Sequence, residues 1–392
     1  MRCLWITRQD PRPADSGELI YTRGLLTSLA ARPGMEITVL AHGTAQPCHG
    51  TPTVTWELHG AIPTDRVRSL ASPLPADAFR LGNAVQRAAL ARLLGQDWDW
   101  VIIDQAACAW SLDLLGKYRR VAYLAHNHEA SVRRQVAAGG GSSFALRMAL
   151  QWDASKYARM ERDLCQRADL ITAITPRDAA TFRADNPGKP VCSLPPGYHG
   201  EIPAGPPREL TAATPRTVVL SGAFEWIAKR RNLESFLRAA AGPFQRAGVG
   251  FRVVGKADPA WFEALAKRYP WASFHPNVPS VTPHLDQARI GLIPEALGGG
   301  FKLKALDYIF RGLPVAAIDA ALSGVPVDPA TGAITAGDPA SLATAVIARI
   351  DDLGFLNHAA RQALEACRHA FHWEDRGITL ARALENPDAC RS

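Results

Sequence analysis

The chain has 392 residues, 47% of them hydrophobic and 21% charged, a balance that excludes a disordered or membrane-embedded protein. That length exceeds what one hydrophobic core supports, so two domains are expected. The net charge of +7 suits phosphorylated substrates, an anionic membrane surface or nucleic acid, and by itself selects none of them.

Seven cysteines (Cys3, Cys48, Cys108, Cys165, Cys192, Cys367, Cys390) are widely spaced, odd in number and free of any C-x-x-C pair. This argues against a disulfide framework or a structural zinc site and fits a reducing compartment. Asp10 and Arg12 interrupt any signal-like start, and no apolar run is long enough to span a bilayer. A cytoplasmic location is expected, with contact to the inner face of a membrane left open.

Short apolar runs alternate with helix-period segments. Cys3–Ile6, Ile37–Leu40, Val101–Ile103, Val121–Leu124 and Leu170–Ile174 read as buried parallel strands, which are apolar on both faces and need not alternate. Helices are predicted over 18–31, 79–95 and 145–167. The density of proline and glycine over 186–216 reads as an interdomain connector. Alternation then restarts with Val218–Leu220, Phe251–Val254, Ile290–Ile293 and Val315–Ile318. The fold class is α/β, with two doubly wound domains facing a central cleft.

The first strand leads into Arg8–Gly17, where Ser16 and Glu18 suit a helix start. Gly17 lets a diphosphate or acceptor approach the backbone closely, and the same residues also make an ordinary capped turn. His126-Asn127-His128-Glu129 follows the strand 121–125. Imidazole and carboxylate there can bind sugar hydroxyls, steady a leaving phosphate or move a proton, with one histidine serving only as scaffold.

The segment 144–167 is an amphipathic helix. Leu146, Leu150, Tyr157, Met160 and Leu164 form a core-facing stripe, and Arg147, Lys156, Arg159 and Arg162 form an exposed basic side open to lipid headgroups. The preceding Gly139–Ser143 reads as a flexible loop.

In the second half, Ser221–Asn232 carries Gly222 and the consecutive cations Lys229, Arg230 and Arg231 near the carboxyl end of a strand, where two phosphates would need them. Leu297–Asp307 holds Gly298, Gly299 and Gly300 and opens a helix that ends at Gly312-Leu313-Pro314-Val315. Glycines admit an anion to backbone amides at a helix start, with Lys304 at its phosphate and Asp307, one turn on, at sugar hydroxyls. A plain glycine turn uses the same residues.

Taken together, these pieces resemble a GT-B glycosyltransferase of the bacterial group 1, retaining, polysaccharide-assembly type. The resemblance covers nearly the whole chain. Gly298–Asp307 and Gly312–Val315 match the register of that family's G-T-G-x-R-x-K-x-x-E and G-x-P-V elements. Gly222–Asn232 resembles its G-x-x-x-x-x-K-N element, His126–Glu129 its HN-x-E element, and Phe371-His372-Trp373 the motif opening its last helix.

The resemblance implies an N-terminal acceptor-binding Rossmann-like domain (1–190), a linker (191–216), a C-terminal donor-binding Rossmann-like domain (217–368) and a final helix (369–392) crossing back. It implies Lys304, Lys229 and Arg230 at the donor diphosphate and Asp307 at the ribose, with Gly17, Gly222, Gly299 and Gly300 lining the donor. His126 and Glu129 stand near the transferred sugar. The expected partners are a nucleotide-sugar donor, a glycan or lipid-linked acceptor and an anionic membrane surface, with no nucleic acid, no cofactor and no metal.

Members of this type often carry two glutamates eight residues apart. Here Asp307 takes the second place, Gly299 the first, and Glu295 falls outside the spacing, so the stereochemical outcome stays open. A nucleotide-sugar epimerase on the same fold and a non-catalytic nucleotide-sugar-binding subunit are the alternatives.

Overall fold

The computed structural model describes residues 1–44, 53–64, 68–116, 120–138 and 144–391. Cys48 and the Gly139–Ser143 loop lie outside the described residues. The chain forms two units, one of Met1–Gly197 with His372–Ser392 and one of Tyr198–Phe371.

The first unit is built on seven strands: β1 (Arg2–Gln9), β2 (Glu36–His42), β3 (Val54–Leu58), β4 (Trp100–Asp104), β5 (Arg120–Ala125), β6 (Leu170–Ala173) and β7 (Val191–Ser193). They are parallel, in the order β3-β2-β1-β4-β5-β6-β7. The central strands read as continuous apolar runs because helices cover both faces of such a sheet, and β4 is buried along its whole length.

The second unit repeats the plan with β8 (Thr217–Ala223), β9 (Gly250–Lys256), β10 (Ala272–Pro276), β11 (Ile290–Ile293), β12 (Val315–Ile318) and β13 (Ile334–Ala336). Their order is β10-β9-β8-β11-β12-β13, again all parallel. Strand order reverses between β1 and β4 in one sheet and between β8 and β11 in the other. Such switch points leave a crevice beyond the strands' carboxyl ends, where ligands bind in open parallel sheets.

Several boundaries differ from the expectation. The helix expected over 79–95 is two, Ala76–Leu81 and Ala84–Leu93. Gly82 lies so close to Trp110 that a Cβ would stand 2.7 Å from its side chain, and Asn83 then caps the second helix by accepting from Gln86 N at 3.0 Å. The proline-rich stretch does not exclude strand, since Val191 and Cys192 fit between Pro190 and Pro195 as a buried edge of the first sheet. Further on, Leu210 is buried in the second unit, its backbone held at both N–H and C=O by the Asn357 amide.

The segment from His372 onward belongs to the first unit. There the helix Trp373–Glu385 lies against the helix Gly17–Ala30. The Trp373 ring occupies a socket floored by Gly24 and Gly197, where any Cβ would overlap it.

The helix Phe144–Arg167 divides along its length. Tyr157, Met160 and Leu164 join the core as expected, whereas Leu146, at 40% exposure, does not. Phe144, Met148 and Trp152 are exposed as well. Lys156, expected on the basic face, is buried instead, and its ammonium donates to the carbonyls of Ser69 (2.8 Å) and Leu70 (3.2 Å). Those carbonyls end a short helical turn, Arg68–Ala71, and a buried ammonium needs such acceptors.

Candidate functional site

In the second unit, β8 ends at Ser221-Gly222-Ala223, and β11 is followed at once by Pro294 and Glu295, so both segments end at the switch point. Lys304 reaches this point. Its Nζ donates to Glu295 Oε1 at 2.6 Å and would stand 3.4 Å from a Cβ on Gly222. Glycine at 222 therefore leaves room for the lysine head. Glu295 is only 8% exposed, and its Oε2 has no hydrogen-bond partner among the described residues. Burial opposes its charge, but Lys304, Lys302 and Lys229 outweigh that and hold its carboxyl below the usual range.

Lys229 joins the group from the helix Ile227–Ala247. Burial first, then the charges of Lys304 and Lys302, lower its pKa to about 8. Three lysines around one carboxylate leave an excess of positive charge where an anionic group would be stabilised. Arg230 is engaged differently. Its Nε donates to Phe224 O at 2.7 Å, and its guanidinium lies 4.9 Å from the Trp261 ring, so it braces the turn after β8.

The glycine run is shaped by its neighbours. The Asn232 amide brackets Leu297, donating to its carbonyl at 2.8 Å and accepting from its N–H at 2.9 Å. Gly298 and Gly300 hold φ of 102° and 70°, conformations that disfavour other residues, and a Cβ on Gly298 would lie 3.3 Å from Trp226. Lys302 turns back and donates to the carbonyls of Gly299 and Gly300. The helix itself, Lys304–Phe310, is only seven residues long and lacks a side-chain cap.

Lys304 and Asp307 share that helix but have different partners. The Asp307 carboxylate lies 3.9 Å from His199 Nε2, with the Tyr198 hydroxyl in its surroundings. Burial raises its pKa against the opposing pull of His199 and Tyr198.

In the first unit, the candidate histidines are far more buried than a polar turn suggests. His126 Nε2 lies 2.7 Å from Asp104 Oδ1. Asp104, the last residue of β4, is fully buried, and its Oδ2 accepts from Thr22 Oγ1 (2.7 Å) and Trp5 Nε1 (3.2 Å). The Tyr21 ring meets His126 edge-on at 4.9 Å, and its hydroxyl is fixed by donation to Leu194 O. Burial alone would strip the proton from His126, but the Asp104 carboxylate prevails and raises its pKa. The result is an oriented imidazole whose affinity for its proton the carboxylate increases.

His128 is the scaffold of the pair. Its ring nitrogens meet Ser131 Oγ at 2.7 Å and Asp185 Oδ2 at 3.2 Å, and the ring abuts Phe182. Glu129 is occupied too, accepting from Asn127 Nδ2 and Arg133 Nε, each at 3.0 Å. Behind it Glu161, 2% exposed, accepts from the N–H groups of Glu129 and Ala130 and from Tyr123 OH. It thereby caps the helix Glu129–Ala138, and burial pushes its pKa up to about 7. Gly17 is exposed at the start of the helix Gly17–Ala30, which Ser16 caps through Leu19 N at 3.4 Å.

Sequence reasoning missed Asp104, Glu161 and the place of Glu295. Asp104 carried a faint signal, a lone carboxylate at the carboxyl end of the apolar run Trp100–Ile103. Glu161 carried none, since its partners are about thirty residues away in the chain.

Residues 215–352 match the family described as Glycosyl transferases group 1. No curated protein sequence matches. Among solved structures, sucrose-phosphate synthase from Thermosynechococcus elongatus superposes with a TM-score of 0.73 at 18% identity, over 99% of each chain. The α,α-trehalose-phosphate synthase (UDP-forming) from Burkholderia vietnamiensis gives 0.64 at 14%, over 100% of this chain and 98% of that one. Alr3699/HepE from Anabaena, solved with UDP and glucose, gives 0.63 at 13%, over 98% and 99%. Residues 215–352 thus match the group 1 glycosyltransferase family, in a chain whose two Rossmann-like units have the GT-B fold.

Proposed function

We propose that the chain transfers a sugar, a hexose, from a nucleotide-diphosphate donor to a hydroxyl of a glycan acceptor. The observation that carries this is the cluster of Lys229, Lys302 and Lys304 beside Gly222 at the switch point of the second sheet. Charge accumulates on the leaving diphosphate as the glycosidic bond breaks, and fixed cations in a buried setting stabilise it without a metal. Lys304 and Lys229 take the diphosphate, Asp307 the ribose hydroxyls, and Gly222, Gly299 and Gly300 give the donor backbone access. The solved relative with UDP and glucose supports a donor of this class. His126, held by Asp104, serves the sugar or a proton transfer, and Glu129 with Arg133 shapes the turn around it.

The direct test is thermal unfolding against a panel of nucleotides and nucleotide sugars without added metal. A ligand at a hundred times its dissociation constant adds about 2.7 kcal/mol, a clear rise in Tm. No rise with any member overturns the donor site. Turnover of a nucleotide sugar without acceptor, yielding its epimer, would favour an epimerase instead.

For the acceptor we favour a lipid-linked glycan of polysaccharide assembly, met at an anionic membrane face. Among the described residues no helix is long and apolar enough to cross a membrane. The start of the helix Phe144–Arg167 instead offers Phe144, Leu146, Met148 and Trp152 to solvent beside Arg147, with exposed Leu70 elsewhere in the same unit. Apolar side chains beside a cation suit an acidic bilayer surface. The protein should co-sediment with vesicles containing phosphatidylserine at low salt. Trp152→Ser with Arg147→Glu should reduce binding several-fold, and no binding by the unaltered protein would refute the membrane role.

A further inference from the structure

Three carboxylates with sharply different surroundings mark the two sites. Asp104 and Glu161 are buried, and each has three hydrogen-bond donors spread over both of its oxygens. Glu295 is comparably buried, yet Lys304 meets one oxygen and, among the described residues, none hydrogen-bonds to the other. A carboxylate kept for structure is normally satisfied on both sides. Glu295 instead stands as an anion among lysines that the proposed donor also needs.

We propose that Glu295 is a built-in counter-anion of the donor site: it holds Lys304 while the site is empty and competes with the donor's diphosphate for that lysine. The inference rests on the donor-site assignment made above. Without an anion, three ammonium groups in one buried cluster repel each other, and the lysine heads lose their arrangement. Glu295 offsets one charge and fixes Lys304 at 2.6 Å. When a diphosphate arrives, its oxygens take up the lysine donors, and the carboxylate remains close by with the same sign of charge. That repulsion weakens nucleotide binding and is greatest for the fully charged nucleoside diphosphate left after transfer. Glu295 thus hastens departure of the leaving group, at the cost of some donor affinity. The depressed pKa of Lys229 agrees with a cluster whose positive charge one carboxylate only partly offsets.

The test is Glu295→Gln in the full-length protein, which keeps size and an acceptor for Lys304 while removing the charge. UDP and GDP binding would be measured by calorimetry at pH 7 and low salt. The variant should bind the diphosphate that binds the unaltered protein about tenfold more tightly, and that gain should shrink as salt rises. Release of the diphosphate, followed by stopped flow, should slow in proportion. Glu295→Asp, which draws the charge back by one methylene, should give a smaller gain and serves if the amide variant folds poorly.

Unchanged or weaker binding in a folded Glu295→Gln protein would overturn the counter-anion role and leave the donor site standing. Failure of the unaltered protein to bind any nucleotide would overturn both.

Discussion

Replacing Lys304 by alanine should weaken nucleoside-diphosphate binding by about a hundredfold, the worth of one charge-assisted hydrogen bond to a phosphate in a shielded site. The nucleotide-dependent rise in Tm should disappear with it. The variant should also be less stable on its own. Glu295 would lose Lys304, its hydrogen-bonded partner among the described residues, and a buried pair broken on one side costs about 3–5 kcal/mol.

The double variant Lys304→Ala with Glu295→Gln separates the two effects. It should recover much of the stability but only the part of the binding that the repelling carboxylate had cost. Binding restored to the level of Glu295→Gln alone would show that Lys304 serves the fold alone. In the unaltered protein the lowered pKa of Glu295 contributes stability above the unfolded carboxyl value of about 4.3, and that stability is lost as pH falls through the lower folded value. In Lys304→Ala burial is opposed only by Lys302 and Lys229, so this contribution should shrink or reverse. Nucleotide affinity of the unaltered protein should also fall as pH rises through about 8, where Lys229 sheds its proton.

Asp104→Asn should lower kcat by about ten- to a hundredfold and leave nucleotide affinity unchanged. The carboxylate is what raises the pKa of His126 against its burial. With a neutral amide, burial is opposed only by the weaker pull of Glu18 and Glu129, and the imidazole pKa should fall. In the unaltered protein this pair contributes stability fully present below about pH 6.5, lost as pH rises through the raised value of His126. The variant should lack that dependence in thermal unfolding. It should lose about 1–3 kcal/mol as well, because the amide NH2 either faces the donors Thr22 and Trp5 or turns to His126 and forfeits the carboxylate's contact with it. A normal kcat with a flattened stability profile would make His126–Asp104 structural.

Much of this architecture was legible before any coordinates. The central strands announced themselves because two-sided burial leaves unbroken apolar runs such as Val101–Ile103 and Ile290–Ile293. The short edge strands β7, β10 and β13 did not, since partly covered segments of three to five residues carry little pattern. Lys304 stood out through its glycines. The residues around it were harder to read, because hydrogen-bond partners far apart in sequence have no periodicity. Glu295 missed the family's spacing, yet the turn after β11 delivers it to Lys304 all the same. Arg230 drew notice as one of three cations, and only its contacts with Phe224 and Trp261 show that it braces a turn. Helical period placed Lys156 on an outer face, and it could not foresee the carbonyls of Ser69 and Leu70 that bury it.

The return of the last segment to the first unit makes the second unit an insertion, leaving and re-entering at adjacent points where Tyr198 N donates to Phe371 O at 2.7 Å. On the ribosome, the second unit is therefore the first to have all its residues. The half that begins the chain must wait for its final stretch, because the socket floored by Gly24 and Gly197 stays empty until Trp373 emerges. Its Tyr21, 6.0 Å from that ring and edge-on to His126, gains its last neighbour only then. A truncated product lacking the last twenty residues would carry every lysine of the cluster around Glu295 and an unfinished setting for His126. Synthesis thus completes the unit with the lysines before the unit with the buried histidine.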